Sequence, residues 1–259
     1  MAKTPSRFAK EEVMEIATRT EQISGDGAPM TLYIAEPKAA GKHPVVIVFF
    51  EAFGLNGHIK HVTDRFAQEG YLAVCPDMYY RMGPNNVMAY NEIPKIMPIM
   101  QAMYDTNSNA DTRIVIDHIK GMRNANAAKL GTTGYCMGGT LSWLAACLNR
   151  DVKAAACYYS GGLITRQTNK RRPVSPHDYA ELTTAAILGL YGENDQNPPA
   201  ADVREVYENL KKLGKTSEYH IYPGAGHGFT CDERPSFQKA SSDDAWKKTF
   251  AWFDKYLKH

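Results

Sequence analysis

No Cys-x-x-C pair occurs in the 259 residues, no apolar run is long enough to span a bilayer, and no repeat or low-complexity tract interrupts the chain. Each absence removes a class of protein. Five cysteines, Cys75, Cys136, Cys147, Cys157 and Cys231, lie without paired spacing, which gives a zinc site little support. An odd count, behind a first segment with no secretory-type apolar core, points to free thiols rather than a disulfide framework. The longest evident apolar stretch, Val45 to Phe50, is strand-sized and far short of a membrane helix. Charge of one sign is missing as well. Thirty Lys and Arg stand against 28 Asp and Glu, so no field gathers nucleic acid or an anionic membrane. The expectation is a soluble, cytoplasmic chain with no nucleic-acid or membrane partner.

What remains is ordinary globular composition, 44% hydrophobic and 22% charged, in a chain long enough to bury a sizeable core. Short apolar runs alternate with helix-like stretches. Strands are expected at 30–36, 45–50, 71–76, 130–136, 153–159, 185–192 and 217–223. Helices are expected at 58–68, 111–122, 139–148, 199–213 and 243–257. Val45–Phe50 is apolar on both faces, as a buried parallel strand requires. Alternating strands and helices imply an α/β fold, a mostly parallel central sheet with helices on both faces. Two stretches break the rhythm. In 80–110, Met97, Met100 and Met103 fall at helical spacing, and Pro98 argues that a helix starts there rather than running through. That stretch is either a helix packed on the sheet edge or a small cap whose methionines line an apolar pocket. Residues 163–179, with Lys170, Arg171 and Arg172, read as a solvated loop.

The sharpest signal is Gly134-Tyr135-Cys136-Met137-Gly138-Gly139, where a strand turns into a helix. A nucleophile at such an elbow needs small neighbours so that the chain can bend tightly. Gly134 and Gly138 fill the positions where a side chain would collide, and Gly139 lets the helix pack closely. A helix N-terminus favours the thiolate of Cys136, and the Met137 N–H would face a developing oxyanion. In α/β-hydrolases the nucleophile is followed by an acid and then a histidine. Asp195 follows the strand 185–192, with Glu193 as the rival acid two residues away. His227 lies in the glycine-flanked loop Gly224–Phe229, free to reach the thiol. The other seven histidines carry no such context.

The chain resembles the dienelactone hydrolase family from roughly residue 20 to the C-terminus. The pieces are GYCMGG, EAFGLN (51–56), EGYLAVCPDMYYR (69–81), YGENDQNPP (191–199) and GAGHGF (224–229). The resemblance implies one α/β-hydrolase domain, here 1–259, without a metal or organic cofactor; on the cap account, 80–110 is a small cap on it. It implies the triad Cys136, His227 and Asp195. It also implies that Glu51 contacts the resting thiol and helps ionise it, and that the Ala52 N–H is the second oxyanion donor. Arg81 matches a family arginine that binds the substrate carboxylate; an exposed loop arginine is the competing account. A second carboxylate-binding arginine is expected four residues beyond the histidine, where this chain has Cys231, with Arg234 nearest. Tyr158 and Tyr159 fall where the family places a pocket-lining tyrosine, and packing explains them equally well.

The chemistry expected is cleavage of a small-molecule ester or lactone through an acyl-enzyme. A thiolate is itself a good leaving group, so activated esters and enol lactones suit it better than peptides or simple lipids. The rivals are a broader carboxylesterase or thioesterase on the same fold, a cysteine peptidase, and a non-catalytic binding module that kept the pocket. An intact Cys, Asp and His stand against the last.

Overall fold

Six of the expected strands lie side by side and parallel in one sheet. The computed structural model describes residues 14–84 and 86–259. Its strands are β1 (Ile16–Ser24), β2 (Pro29–Pro37), β3 (His43–Phe49), β4 (Leu72–Pro76), β5 (Ala125–Tyr135), β6 (Val152–Tyr158), β7 (Ala186–Gly192) and β8 (Ser217–Tyr222). They form a single eight-stranded sheet in the order β1-β2-β4-β3-β5-β6-β7-β8. At one edge β1 pairs antiparallel with β2, and β2 antiparallel with β4; every other pairing is parallel. The mostly parallel sheet expected from the alternating pattern, and the α/β-hydrolase fold implied by the resemblance, are what is observed.

Helices cover both faces, which is why the central strands are buried on both sides. On one face α1 (Gly57–Gln68) and α6 (Lys239–Phe253) meet. There Phe66 packs on Trp246 and Phe250 with ring centroids 5.4 Å apart. On the other lie α3 (Asp105–Gly121), α4 (Met137–Leu148) and α5 (Ala200–Lys212), with Trp143 edge-on to Tyr207. Removing a side chain such as Phe66, fully buried between these helices, should cost about 3–5 kcal/mol. α1 begins at Asn56, whose Oδ1 accepts the Ile59 N–H at 3.0 Å; this satisfies one of the N–H groups that a helix start leaves open.

Some elements differ from the sequence expectation. β1 carries no such expectation. Its residues are mostly exposed on both faces, so no apolar alternation marks it; nine backbone pairings with β2 hold it. α3 begins six residues before 111 and α6 four before 243, since their first turns, Asp105–Ser108 and Lys239–Ser242, carry no large apolar residue to mark the period. α2 (Ile93–Ala102) corrects the expectation that a helix starts at Pro98. It begins five residues earlier, with Pro94 in its first turn, and runs through Pro98, the ring nitrogen leaving one backbone carbonyl without its bond. Ile96 anchors the helix inward while Met97 faces solvent. Among the described residues no helix is long and apolar enough to cross a membrane.

Candidate active site

The carboxyl ends of β3, β5 and β7 and the loop after β8 converge, as open α/β sheets place their crevices. At the end of β5, Cys136 holds φ 58° and ψ −118°, a left-handed conformation rare for a side-chain-bearing residue. The glycines make that bend possible. A Cβ on Gly134 would strike the Gly138 carbonyl. One on Gly138 would strike the carbonyls of Phe49 and Phe50, and one on Gly139 the Ser160 hydroxyl and the Tyr158 carbonyl. The turn is thus clamped against β3 and β6, and Cys136 N–H donates to the Tyr158 carbonyl at 3.1 Å. Cys136 is the one partly exposed cysteine; the other four are buried. Burial pushes the Cys157 thiol up to about 12 and, first among its causes, Cys231 up to about 11. Cys75 and Cys147 are raised the same way. Those four thiols stay protonated and inert at neutral pH.

Asp195 is buried beyond β7. Its Oδ2 lies 2.8 Å from His227 Nδ1, and its Oδ1 accepts the Asn197 N–H at 2.8 Å. With a proton on Nδ1 facing the carboxylate, Nε2 is the ring nitrogen left for the thiol. Burial opposes charge on the His227 ring. The negative charge of Cys136 and hydrogen bonds to Asp195 and Cys136 outweigh it, and push the imidazole up to about 10. Structure therefore brings Cys136, His227 and Asp195 together. Glu193 is exposed, and its Oε2 accepts the Gly224 N–H at 3.0 Å, so it fastens the histidine loop rather than the imidazole.

Ala52 and Met137 are also brought together, across the gap between β3 and α4. The buried Tyr79 hydroxyl touches both: it donates to the Ala52 carbonyl at 2.9 Å and lies 3.6 Å from Met137 Sδ. Burial first, then the charge of Cys136, raise the Tyr79 phenol. Glu51, next to Ala52, is buried. Its Oε1 pairs with Arg234 Nη1 at 3.2 Å, and its Oε2 has no hydrogen-bond partner among the described residues.

For three residues offered as substrate-binding, the structure shows partners within the protein. Arg81 is engaged within the protein. Its guanidinium is held by buried Asp111 (2.6 and 3.0 Å) and by Asp26 (2.9 Å), and the former raises its already high pKa further. Tyr158 is core: its hydroxyl pairs with Thr249 at 2.6 Å and its ring stacks on Tyr135. Tyr159 is fully buried too, bonded to Thr230 at 2.9 Å and edge-on to the His227 ring at 5.1 Å; it supports the histidine instead of lining a pocket. Sequence reasoning gave Arg234 no role, yet it reaches Glu51 beneath the rings of Phe53 and Tyr90. In the structure Gly228, directly after the histidine, leaves it room: a Cβ there would strike the Arg234 guanidinium.

Beside Cys136 opens a cavity of about 180 Å³, lined by Met100, Met103, Leu141, Arg171 and Asn197. Two of the three spaced methionines thus belong to a wall, as in the cap account of 80–110. Residues 88–90 are tied to the stretch after β3 by Met88 N–H to the Phe53 carbonyl at 3.1 Å and by Asn56 to the Tyr90 hydroxyl at 3.2 Å. Among the described residues no cluster of three or more His, Cys, Asp or Glu could hold a metal ion.

A model of the dienelactone hydrolase family matches residues 30–257. An Escherichia coli protein named "Putative carboxymethylenebutenolidase" is 37% identical, over 90% of this chain and 85% of its own length. A Salmonella typhimurium protein of the same name is 36% identical over 93% and 88%. The crystal structure of a "Putative Dienelactone Hydrolase" from Klebsiella pneumoniae superposes with a TM-score of 0.86 at 35% identity, covering 93% of this chain and 100% of that one.

Proposed function

The chain belongs to the dienelactone hydrolase family, and on that premise we propose that it hydrolyses an activated ester or enol lactone of carboxymethylenebutenolidase type. Cys136 is the nucleophile, His227 the acid and base, and Asp195 the orienting carboxylate. The thiolate attacks the carbonyl carbon and forms a C–S bond. The N–H groups of Ala52 and Met137 receive the oxyanion. The C–O bond to the leaving group breaks, and His227 protonates the departing oxygen. Water then gives a proton to His227 and attacks the thioester carbonyl. The C–S bond breaks, releasing the acid and restoring the thiolate.

The observation that carries this proposal is the setting of Cys136. It is the one half-exposed thiol of five, on a left-handed turn at a helix start, beside an imidazole held by a buried carboxylate. Glu51 fits the part of assisting ionisation: one oxygen is anchored on Arg234 and the other is unpaired among the described residues. Tyr79 braces both oxyanion donors. One continuous sheet supports reading 1–259 as a single hydrolase unit with 80–110 as its cap.

The test is turnover of para-nitrophenyl acetate and of dienelactone by wild type and Cys136→Ala, with mass spectrometry of quenched wild-type reactions. The expected result is one acyl group on the Cys136 peptide, and no turnover by a folded Cys136→Ala. Turnover retained in that variant would overturn the proposal. A second reading, a carboxylesterase for neutral esters, has its own observation: Arg81 is engaged by Asp111 and Asp26, and Cys231 occupies the place expected of a second arginine.

A further inference from the structure

Three segments remote in sequence meet at Tyr90. Its neighbours Ala89 and Asn91 are exposed while Tyr90 is half-buried, so its side chain is the one turned inward. The Tyr90 hydroxyl accepts from Asn56 Nδ2 at 3.2 Å and from the Cys231 thiol at 3.3 Å. Asn56 is itself fixed, since its Oδ1 caps α1. Cys231 lies on the loop that carries His227. The Tyr90 ring stands edge-on to Phe53, with centroids 4.5 Å apart. The Arg234 guanidinium lies 5.6 Å from the Phe53 centroid and 5.8 Å from that of Tyr90, while its Nη1 donates to Glu51 Oε1 at 3.2 Å. Ala52, Phe53, Met88 and Ile96 form a small buried cluster apart from the main core, with Tyr90 packed against it. The main chains also approach closely here: a Cβ on Gly54 would strike the Asn86 carbonyl.

We infer that Tyr90 is a positioning residue: it locks the excursion 80–110 to the stretch carrying Glu51 and Ala52 and to the histidine loop, and so holds Phe53 and Arg234 in place beside the reacting groups. This rests on the proposal that Cys136 is the nucleophile and Ala52 an oxyanion donor. An oxyanion donor works only if it is held in place before charge develops, and supporting contacts must fix it to within about 0.5 Å. The Ala52 carbonyl is braced by Tyr79, and the next residue, Phe53, by the Tyr90 ring. Arg234 hangs on a long flexible stem, and the two rings limit where its guanidinium can go. Burial first, then the bond to Cys231, raise the Tyr90 phenol, so the hydroxyl stays neutral. Burial, first among its causes, likewise pushes the Cys231 thiol up to about 11, which keeps it an S–H donor at neutral pH. Cys231 thereby gains a part that the chemistry at Cys136 does not give it.

Steady-state hydrolysis of para-nitrophenyl acetate, with circular dichroism of each variant, tests this. Tyr90→Phe keeps the ring and loses both bonds; its kcat should fall about three- to tenfold, the scale of one or two hydrogen bonds, with KM nearly constant. Tyr90→Ala also releases Phe53 and Arg234 and should lose about thirty- to a hundredfold, so that Tyr90→Phe recovers the share of the ring. Cys231→Ala should lower kcat less than Tyr90→Phe. The double variant Tyr90→Phe with Cys231→Ala should be no slower than Tyr90→Phe alone, because the two changes break one shared bond. Tyr33→Phe is the control: it removes a hydroxyl bonded to Asp64 at 2.8 Å and should leave kcat unchanged. An unchanged kcat in Tyr90→Phe, an equal fall in Tyr33→Phe, or losses that multiply in the double variant overturn the inference while leaving Cys136 in place. Cys136→Ala should abolish the reaction; if it did not, the nucleophile assignment would fall and this inference with it.

Discussion

The elbow around Cys136 and the two excursions, 80–110 and 163–179, border the same cavity and differ in what specifies them. At the elbow the requirements are steric and short-ranged. Gly134, Gly138 and Gly139 are each needed because a Cβ would meet a backbone or side-chain oxygen, and the residues that demand this lie within one strand–turn–helix and its neighbours. In the excursions the deciding quantity is the fate of charge. Arg81 pairs with Asp111, 30 residues on, and Asp26, 55 residues back. Arg172 pairs with Asp105, 67 residues away. Arg171 pairs with nothing among the described residues. Three arginines of one chemical type thus become a brace, a clamp and a side chain with no partner among the described residues, and only the packing of distant segments separates them.

The comparison can be broken most severely at the elbow. Gly138→Val should abolish turnover and most folded yield, since its side chain would enter the space of the Phe49 and Phe50 carbonyls; circular dichroism and turnover together read both. A folded, active Gly138→Val would mean the turn is less constrained than its contacts imply. Next in size, Asp195→Asn should lower kcat by about a thousand- to ten-thousandfold, the scale for losing the orienting acid of such a triad. Glu193→Gln, which loosens only a loop bond, should change kcat little. Reversal of that pair would move the acid to Glu193.

Arg81 sharpens the contrast from the other side. Arg81→Ala leaves Asp111 buried with the Tyr80 hydroxyl as its partner at 2.6 Å, and should destabilise the fold by about 3 kcal/mol, the low end for a broken buried pair because the guanidinium is partly exposed. Denaturant melts should show this, with kcat/KM for dienelactone and for para-nitrophenyl acetate unaltered; a fall confined to dienelactone would return Arg81 to the substrate. Tyr79→Phe removes the hydroxyl that braces Ala52 and Met137, and should lower kcat about five- to tenfold, near 1 kcal/mol for one hydrogen bond, with KM nearly constant.

The smallest effect is a titration. His227 should titrate near 10 in wild type and lower in Cys136→Ala, as followed by NMR of the ring protons. The folded value exceeds the unfolded one of about 6.5, so folding favours the protonated ring. That contribution to stability is present in full below about pH 6.5 and is lost as pH rises through about 10. An unshifted His227 in the variant would mean that Asp195 alone holds the proton.

Much of the fold and of the candidate site is legible in the residues themselves. The buried strands announce themselves as two-faced apolar runs, and Cys136, Asp195 and His227 as residues at successive strand ends in hydrolase order. β1 is not legible, because a twice-exposed edge strand is held by backbone bonds that leave no mark on side-chain pattern. Arg234 is hidden because it lies seven residues past the histidine, where Cys231 stands in the nearer place. The tyrosines mislead because Tyr158 and Tyr159 sit at a strand end that, in this packing, turns them into the core beside Trp246 and His227.

The sequence by itself determined the strand rhythm and the glycine-flanked turn at Cys136, because apolar periodicity and motif spacing are written over a few residues. Only the tertiary structure decided which charges are compensated, since a salt bridge depends on segments that meet after the chain has folded. It made Arg81 a structural brace, anchored Glu51 on Arg234, and left Arg171, at the wall of the cavity that opens on Cys136, with no partner among the described residues.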